Sequence, residues 1–453
     1  MTTKMKTSSD LFEEGGGREP PRPFEIKSYD SLLQFPTIPS TGIDIPSGER
    51  TITEPLVDAI VVPTIRSAEQ LNSAAKLAAQ IRCHLIAIYT DRLPAGHSTV
   101  LDCLKPGQVT LLTVRSGAQH RLVDLGVSLV QGRVAPAALD ISRKRNLGLL
   151  IGRMCRWTRL LFLDDDIRKL NAPKLSSAAA LLDDYPVVGL QVRKYPDASV
   201  VGHARRLTGR RQEPFVSGGS LLVNPQLLKG YFAPVYHEDW LCIINHLRKG
   251  EVAIGGSVGQ LPYLPFTTPE RAHREEFGEI LLSGLLWLVY GHKKDPMNRA
   301  HLMGDAEYWR EAVDPCFWEP ILAERAALLK DIIERLADKD FYTTPPRPSL
   351  AAARLCLAEL KPADFVSFME KWLTSLREWS EGMSALPGVD QVDKAQAIEK
   401  ALAKLGIAHV VRAHELSRPE AQANIRWGPL ARLVRSLLLE LVRRPCFGMR
   451  RWP

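Results

Sequence analysis

RLLFLDDD, residues 159–166, decides the fold: an apolar run, Leu160 to Leu163, ends in three carboxylates, Asp164, Asp165 and Asp166. A continuous apolar run too short for a helix marks a strand buried on both faces. Side chains alternate along a strand, so Asp164 and Asp166 share one face and Asp165 takes the other. Two carboxylates where a strand leaves the core can share a hard, oxygen-seeking cation, Mn2+ or Mg2+, that also grips a diphosphate. An N-cap and a solvated loop use the same residue types, so the surrounding sequence has to decide.

Upstream, DAIVVPTIR from Asp58 reads as a strand, AEQLNSAAKLAAQI as a helix, HLIAIYTD and VTLLTV as two further strands, and SRKRNLGLLIGRM as a helix leading into RLLFLDDD. Apolar strands alternating with helices predict an α/β fold with a mainly parallel, Rossmann-like sheet covered on both faces. In such sheets ligands bind beyond the carboxyl ends of the strands. Pro63, Thr64, Asp91 and the aspartate triplet all stand at such ends. Downstream, PVVGLQV precedes FVSGGSLLVN, where Gly218 and Gly219 follow an apolar strand and would let backbone approach a ligand closely. A helix begins near His237-Glu238-Asp239-Trp240, and acidic residues in a first turn are also what the helix dipole favours.

The order and spacing of these pieces resemble the GT-A glycosyltransferases, in particular glycosyltransferase family 2, over about residues 56–295: the first strand, a second ending in Asp91, a helix with Arg143, Arg145, Asn146 and Gly148, the apolar strand with its triplet, SGGS and HEDW. The resemblance implies transfer of a sugar from a UDP- or GDP-sugar to a hydroxyl acceptor. It implies that Pro63, Thr64, Arg66 and Asp91 line the nucleoside pocket, that Arg145 meets the diphosphate, and that Gly218 and Gly219 wall the donor sugar. Asp166 is implied as the principal metal ligand and Asp164 as a ligand shared between metal and ribose, leaving Asp165 as the most replaceable of the three. Asp239, with Glu238 second, is implied as the base that deprotonates the acceptor in an inverting reaction. His273, in PERAHREEFGE, stands where some related sugar-phosphate-transferring members carry a histidine metal ligand; a surface histidine is the plain alternative. Arg426-Trp427 resembles part of the Q-x-x-R-W segment of processive members, but Ala423 stands where that segment has glutamine.

Two other functions fit the same fold. A sugar-1-phosphate nucleotidyltransferase would carry a glycine-rich basic loop after the first strand, and VVPTIRSAEQL has no glycine. A non-catalytic nucleotide-sugar-binding protein would not need Asp164, Asp166 and Asp239 together.

Composition sets the outer limits. The 453 residues are 45% hydrophobic, enough for a full core. The net charge of +8 suits phosphate ligands, and with no basic stripe interleaved with aromatics, nucleic acid is not an expected partner. Seven scattered cysteines without a C-x-x-C pair point to a reducing, cytoplasmic setting. The longest apolar stretch, ILLSGLLWLVYG from Ile280, is shorter than the roughly 20 residues of a membrane span. Residues 1–55 read as a poorly ordered arm, 56–310 as the GT-A-like catalytic domain and 311–453 as a helical region that could complete the acceptor pocket or mediate homo-oligomerisation. Its last stretch, RWGPLARLVRSLLLELVRRPCFGMRRWP, alternates arginine with leucine; it suits peripheral contact with an anionic membrane or packing on the preceding helices.

Overall fold

Along β1 (Ala59–Pro63) Ala59 and Val61 enter one apolar cluster while Ile60 and Val62 enter another, and all four are fully shielded from solvent. The same division holds in β2 (His84–Thr90), where Ile86 and Ile88 oppose Leu85, Ala87 and Tyr89, and in β4 (Leu160–Leu163), where Leu160 and Phe162 oppose Leu161 and Leu163. Strands that bury both faces explain the unbroken apolar runs.

The computed structural model describes residues 56–94, 96, 101–105, 107–114, 120–126, 136–193, 199–209, 216–291, 303–337, 344–390, 393–407 and 410–412. The N-terminal arm and the arginine–leucine stretch that contains Arg426-Trp427 lie outside these residues. The remaining strands are β3 (Val109–Val114), β5 (Ile167–Arg168), β6 (Val187–Arg193), β7 (Val216–Val223), β8 (Val252–Gln260) and β9 (Val410–Arg412). Among the described residues they form one nine-stranded sheet in the order β5-β8-β6-β7-β4-β1-β2-β3-β9.

The fold is α/β with a mixed sheet. Parallel pairing, expected to dominate, joins β3, β2, β1 and β4 to one another and β6 to β8. The contacts β4–β7, β6–β7, β5–β8 and β3–β9 are antiparallel. Because β7 alone is reversed between β4 and β6, its first residues lie at the same sheet edge as the carboxyl ends of β4 and β8. Gly218 and Gly219 therefore sit inside the start of β7, not after a strand as the sequence suggested.

The helices are α1 (Asn72–Ile81), α2 (Pro136–Met154), α3 (Ala172–Ala180), α4 (Val200–Leu207), α5 (Glu238–Arg248), α6 (Pro269–Gly291), α7 (Pro315–Arg335), α8 (Arg347–Glu359), α9 (Pro362–Ala385) and α10 (Lys394–Lys404), with a short turn of helix at Asp305–Tyr308. Helices α1 and α3 cover one sheet face, and α2, α5 and α6 the other. Phe365, Phe368, Trp372 and Trp379 of α9 and Trp318 of α7 join the cluster that covers this second face, so the C-terminal helices share its core. Among the described residues no helix is long and apolar enough to cross a membrane.

Candidate functional site

The order of the parallel strands turns back at β1, whose neighbours are β2 on one side and β4 on the other, so a crevice opens beyond the carboxyl ends of β1 and β4. Thr64 and the aspartates occupy this place. The Thr64 hydroxyl donates to Asp165 Oδ2, and Arg66 donates to Asp165 Oδ1 at 2.7 Å. A second Arg66 nitrogen lies 3.7 Å from Asp166 Oδ2. The three aspartates follow the end of β4 in a turn, so strand alternation does not sort them: Asp165 and Asp166 both lie beside Arg66, and the buried Asp165 ties the end of β4 to the end of β1. The sequence left Asp165 as the most replaceable of the three; its removal would take from the buried Thr64 hydroxyl its acceptor, while Arg66 N–H still donates to that hydroxyl at 3.1 Å.

Arg143, Lys144 and Arg145 are buried within α2 rather than solvated at a helix start. Each has an acidic partner from elsewhere in the chain or one turn away. Arg143 meets Asp124 at 2.6 Å. Lys144 donates to Thr64 O at 3.0 Å and to Asp140 Oδ2 at 2.6 Å, while the Thr90 hydroxyl donates to Asp140 Oδ1. The Lys144–Asp140 pair thus joins the carboxyl ends of β1 and β2. Asp91 follows at this edge in the left-handed region (φ 57°), its N–H donating to Val114 O at 2.8 Å.

Arg145 is the centre of the second cluster. One nitrogen donates to Asp164 Oδ1 and Oδ2 at 2.9 and 3.2 Å, the other donates to Glu238 Oε1, and the guanidinium lies 5.6 Å from the Phe232 ring centre. Asn146 clamps the same loop, exchanging hydrogen bonds with the Phe232 backbone at 2.9 and 2.8 Å. Asp239 accepts from Gly218 N–H at 2.6 Å and from Trp240 N–H at 2.8 Å, and Asp164 N–H donates to Gly219 O at 2.8 Å. Glycine is required at Gly218, where a Cβ would also stand 2.7 Å from Asp239 Cβ, while at Gly219 it would meet only the end of a side chain. A Cβ on Gly218 would stand 2.6 Å from an Arg145 nitrogen, and one on Gly219 2.9 Å from Asp164 Oδ2. The room the two glycines leave is filled by the chain's own charged side chains.

Burial pushes Glu238 up to about 7; Arg145 opposes the shift and Asp239 reinforces it. A carboxyl raised by burial in this way is of the kind that acid–base work uses. Asp166 is also raised, by burial and then by Asp164. Its Oδ2 receives a long contact from Gln260 Nε2 at 3.4 Å, while Asp166 Oδ1 and Gln260 Oε1 are buried without a hydrogen-bond partner. Oxygens left without a donor on two side chains that touch are of the type that ligates a hard cation. They supply only part of a coordination shell: among the described residues no group of three or more His, Cys, Asp and Glu side chains is arranged to hold a metal ion.

The structure therefore gathers Thr64, Arg66, Arg145, Asp164, Asp166, Gly218, Gly219, Glu238 and Asp239, with Pro63 ending β1 and Asp91 following β2. It does not bring in His273, which sits half-exposed on α6 with Glu359 at 4.0 Å. Gln260 and Asp140 were not visible as site residues in the sequence. Gln260 closes a glycine-rich strand with little apolar signature, yet its place at a carboxyl strand end is the same signal that marked Asp91. Neither a family model nor a curated protein matches the chain.

Proposed function

We propose that the chain is a metal-dependent glycosyltransferase of the GT-A type that moves a sugar from a UDP- or GDP-sugar to a hydroxyl acceptor. The observation that carries this reading is the pair of donorless buried oxygens, Asp166 Oδ1 and Gln260 Oε1, at the sheet edge that also carries Asp164 and Asp239. The turn-back of strand order at β1 supports it, because that is where nucleotides bind in sheets of this kind.

Asp166, Gln260 and Asp164 are the residues that would hold Mn2+ or Mg2+, with substrate phosphates completing its shell. When bound, the cation offsets the charge of the diphosphate and stabilises the departing nucleoside diphosphate. Thr64, Arg66 and Asp91, following Pro63, lie along the edge suited to the nucleoside. Arg145 balances Asp164 and Glu238, which allows three carboxylates to crowd one site. Asp239, held by two backbone N–H groups, is the base for the acceptor hydroxyl if the reaction inverts and its orienting group if it retains. Glu238 is the second candidate.

The test is turnover and thermal stabilisation across UDP-, GDP- and other nucleotide sugars, with and without manganese. Metal-dependent stabilisation by one donor class, lost in Asp166→Ala, is expected. Stabilisation that survives metal removal would sink the metal bridge. A second reading, a non-catalytic binder, draws on the Arg145–Asp164 pair, which already occupies one ligand carboxylate; binding without turnover would favour it.

A further inference from the structure

His237 heads α5 directly before the two candidate acceptor-side carboxylates, and it does so in the left-handed region, φ 70° and ψ 33°, without capping the helix through its side chain. Such a conformation in a residue other than glycine persists only where its surroundings over-determine it, and such residues gather at functional sites. The surroundings here come from α6 and α7. The His237 Nε2 bonds to Glu279 Oε1 at 2.8 Å. Arg325 of α7 donates to Glu279 Oε2 at 3.2 Å and forks onto Glu276 at 2.7 and 2.8 Å. Arg325 is 2% and Glu276 0% exposed. Gly278 brings α6 so close that a Cβ there would stand 2.3 Å from Tyr236 O, which fixes the residue before His237.

A buried ion network is a poor means of gaining stability, because desolvation offsets much of its attraction. Its geometry supplies something else. From Glu276 the contacts run through Arg325 and Glu279 to His237, and the next two residues are Glu238, bonded to Arg145, and Asp239, bonded to Gly218 N–H.

We propose that Glu279 is a positioning residue: by holding His237 in its left-handed turn and anchoring it through Arg325 to α7, it fixes the direction in which Glu238 and Asp239 project from the head of α5. The assignment of a catalytic purpose to this positioning rests on Asp239 being the acceptor-side base. Through Arg325, helix α7 thereby bears on the geometry of the site.

The positioning can be read without turnover in the full chain labelled with 15N-glycine, through the amide of Gly218, which donates to Asp239. In Glu279→Gln the Gly218 resonance shifts and its protection from solvent exchange falls by about tenfold or more, while melting stays cooperative. Glu279→Asp restores part of the protection. Arg335→Ala, which breaks an exposed pair on the same α7, leaves Gly218 unchanged. Should Glu279→Gln not fold, Arg325→Lys keeps the charge, removes the fork and is read in the same way. An unchanged Gly218 amide in the folded variant, or an equal change in Arg335→Ala, would overturn the proposal. With a donor that turns over, Glu279→Gln lowers kcat by about 10- to 100-fold at unchanged donor KM. A raised donor KM at normal kcat would also overturn it. If no donor binds or turns over in the wild type, the glycosyltransferase reading fails by itself, and the Gly218 amide still decides whether Glu279 positions Asp239.

Discussion

The three neighbouring aspartates have three different surroundings, and substitutions should separate them. Asp165 bonds to the buried Thr64 hydroxyl and to the half-exposed Arg66, so Asp165→Ala should cost about 2 kcal/mol, mostly through the hydroxyl proton left without an acceptor, and lower the melting temperature. Asp166 carries a buried oxygen without a donor and a pKa raised by burial. Replacing that charge by a neutral isostere relieves desolvation, so Asp166→Asn should melt at or above the wild type in the absence of metal. A melting point well below wild type in metal-free buffer would contradict this environment. At Glu279 burial works to raise the pKa, but the His237 hydrogen bond and the Arg325 charge bring it from 4.5 to about 2. Burial works to lower His237, but Glu279 raises it above 6.5. A depressed carboxylate stabilises the fold above its unfolded pKa and loses that contribution as pH falls through the folded value; a raised histidine stabilises below its unfolded pKa and loses it as pH rises through the folded value. Both contributions are complete between pH 4.5 and 6.5. The stability deficit of Glu279→Gln, measured by urea unfolding across pH, should be largest in that window and shrink on either side.

At the scale of elements, β7 shows how a strand serves the site by having no side chains at two positions. Gly218→Ala would push a methyl into Arg145 and Asp239, and overpacking of this kind costs about 1–3 kcal/mol. A melting curve superimposable on the wild type would show that α5 is not seated against β7 as described. What the sequence made legible follows the same physics. The runs AIVVP, HLIAIYT and LLFL are buried on both faces, so hydrophobicity alone marked them and located the carboxyl ends with Thr64, Asp91 and the triplet. The run VAIGGSVGQ has little apolar signature, so β8 and Gln260 were hidden. Arg143, Lys144 and Arg145 read equally as a solvated helix start, a diphosphate contact or a structural contact, because a local pattern cannot show Asp124 or Glu238, the latter 93 residues beyond Arg145. The reversal of β7 is likewise a property of the sheet, invisible in a run whose apolar residues fit either direction.

For the whole molecule, the shared core joins the helices after residue 315 to the α5 and α6 face of the sheet. Trp372 and Trp379 are fully shielded, so truncating Trp372 to alanine should cost about 3–5 kcal/mol and lower the whole unfolding transition. A separate early transition, with donor-site stability retained, would mean that these helices form an independent unit. The ion network of α6 and α7 gives the same coupling a route to the site, since Arg325 and His237 meet on Glu279. The metal-bridged site itself is tested most directly by manganese electron paramagnetic resonance, titrating the full chain with Mn2+ in the presence and absence of UDP and GDP. Metal uptake that strengthens with one nucleoside diphosphate and vanishes in Asp166→Asn is the expected result. Uptake indifferent to the nucleotide, or unchanged in Asp166→Asn, would contradict a cation shared between Asp166 and a donor diphosphate.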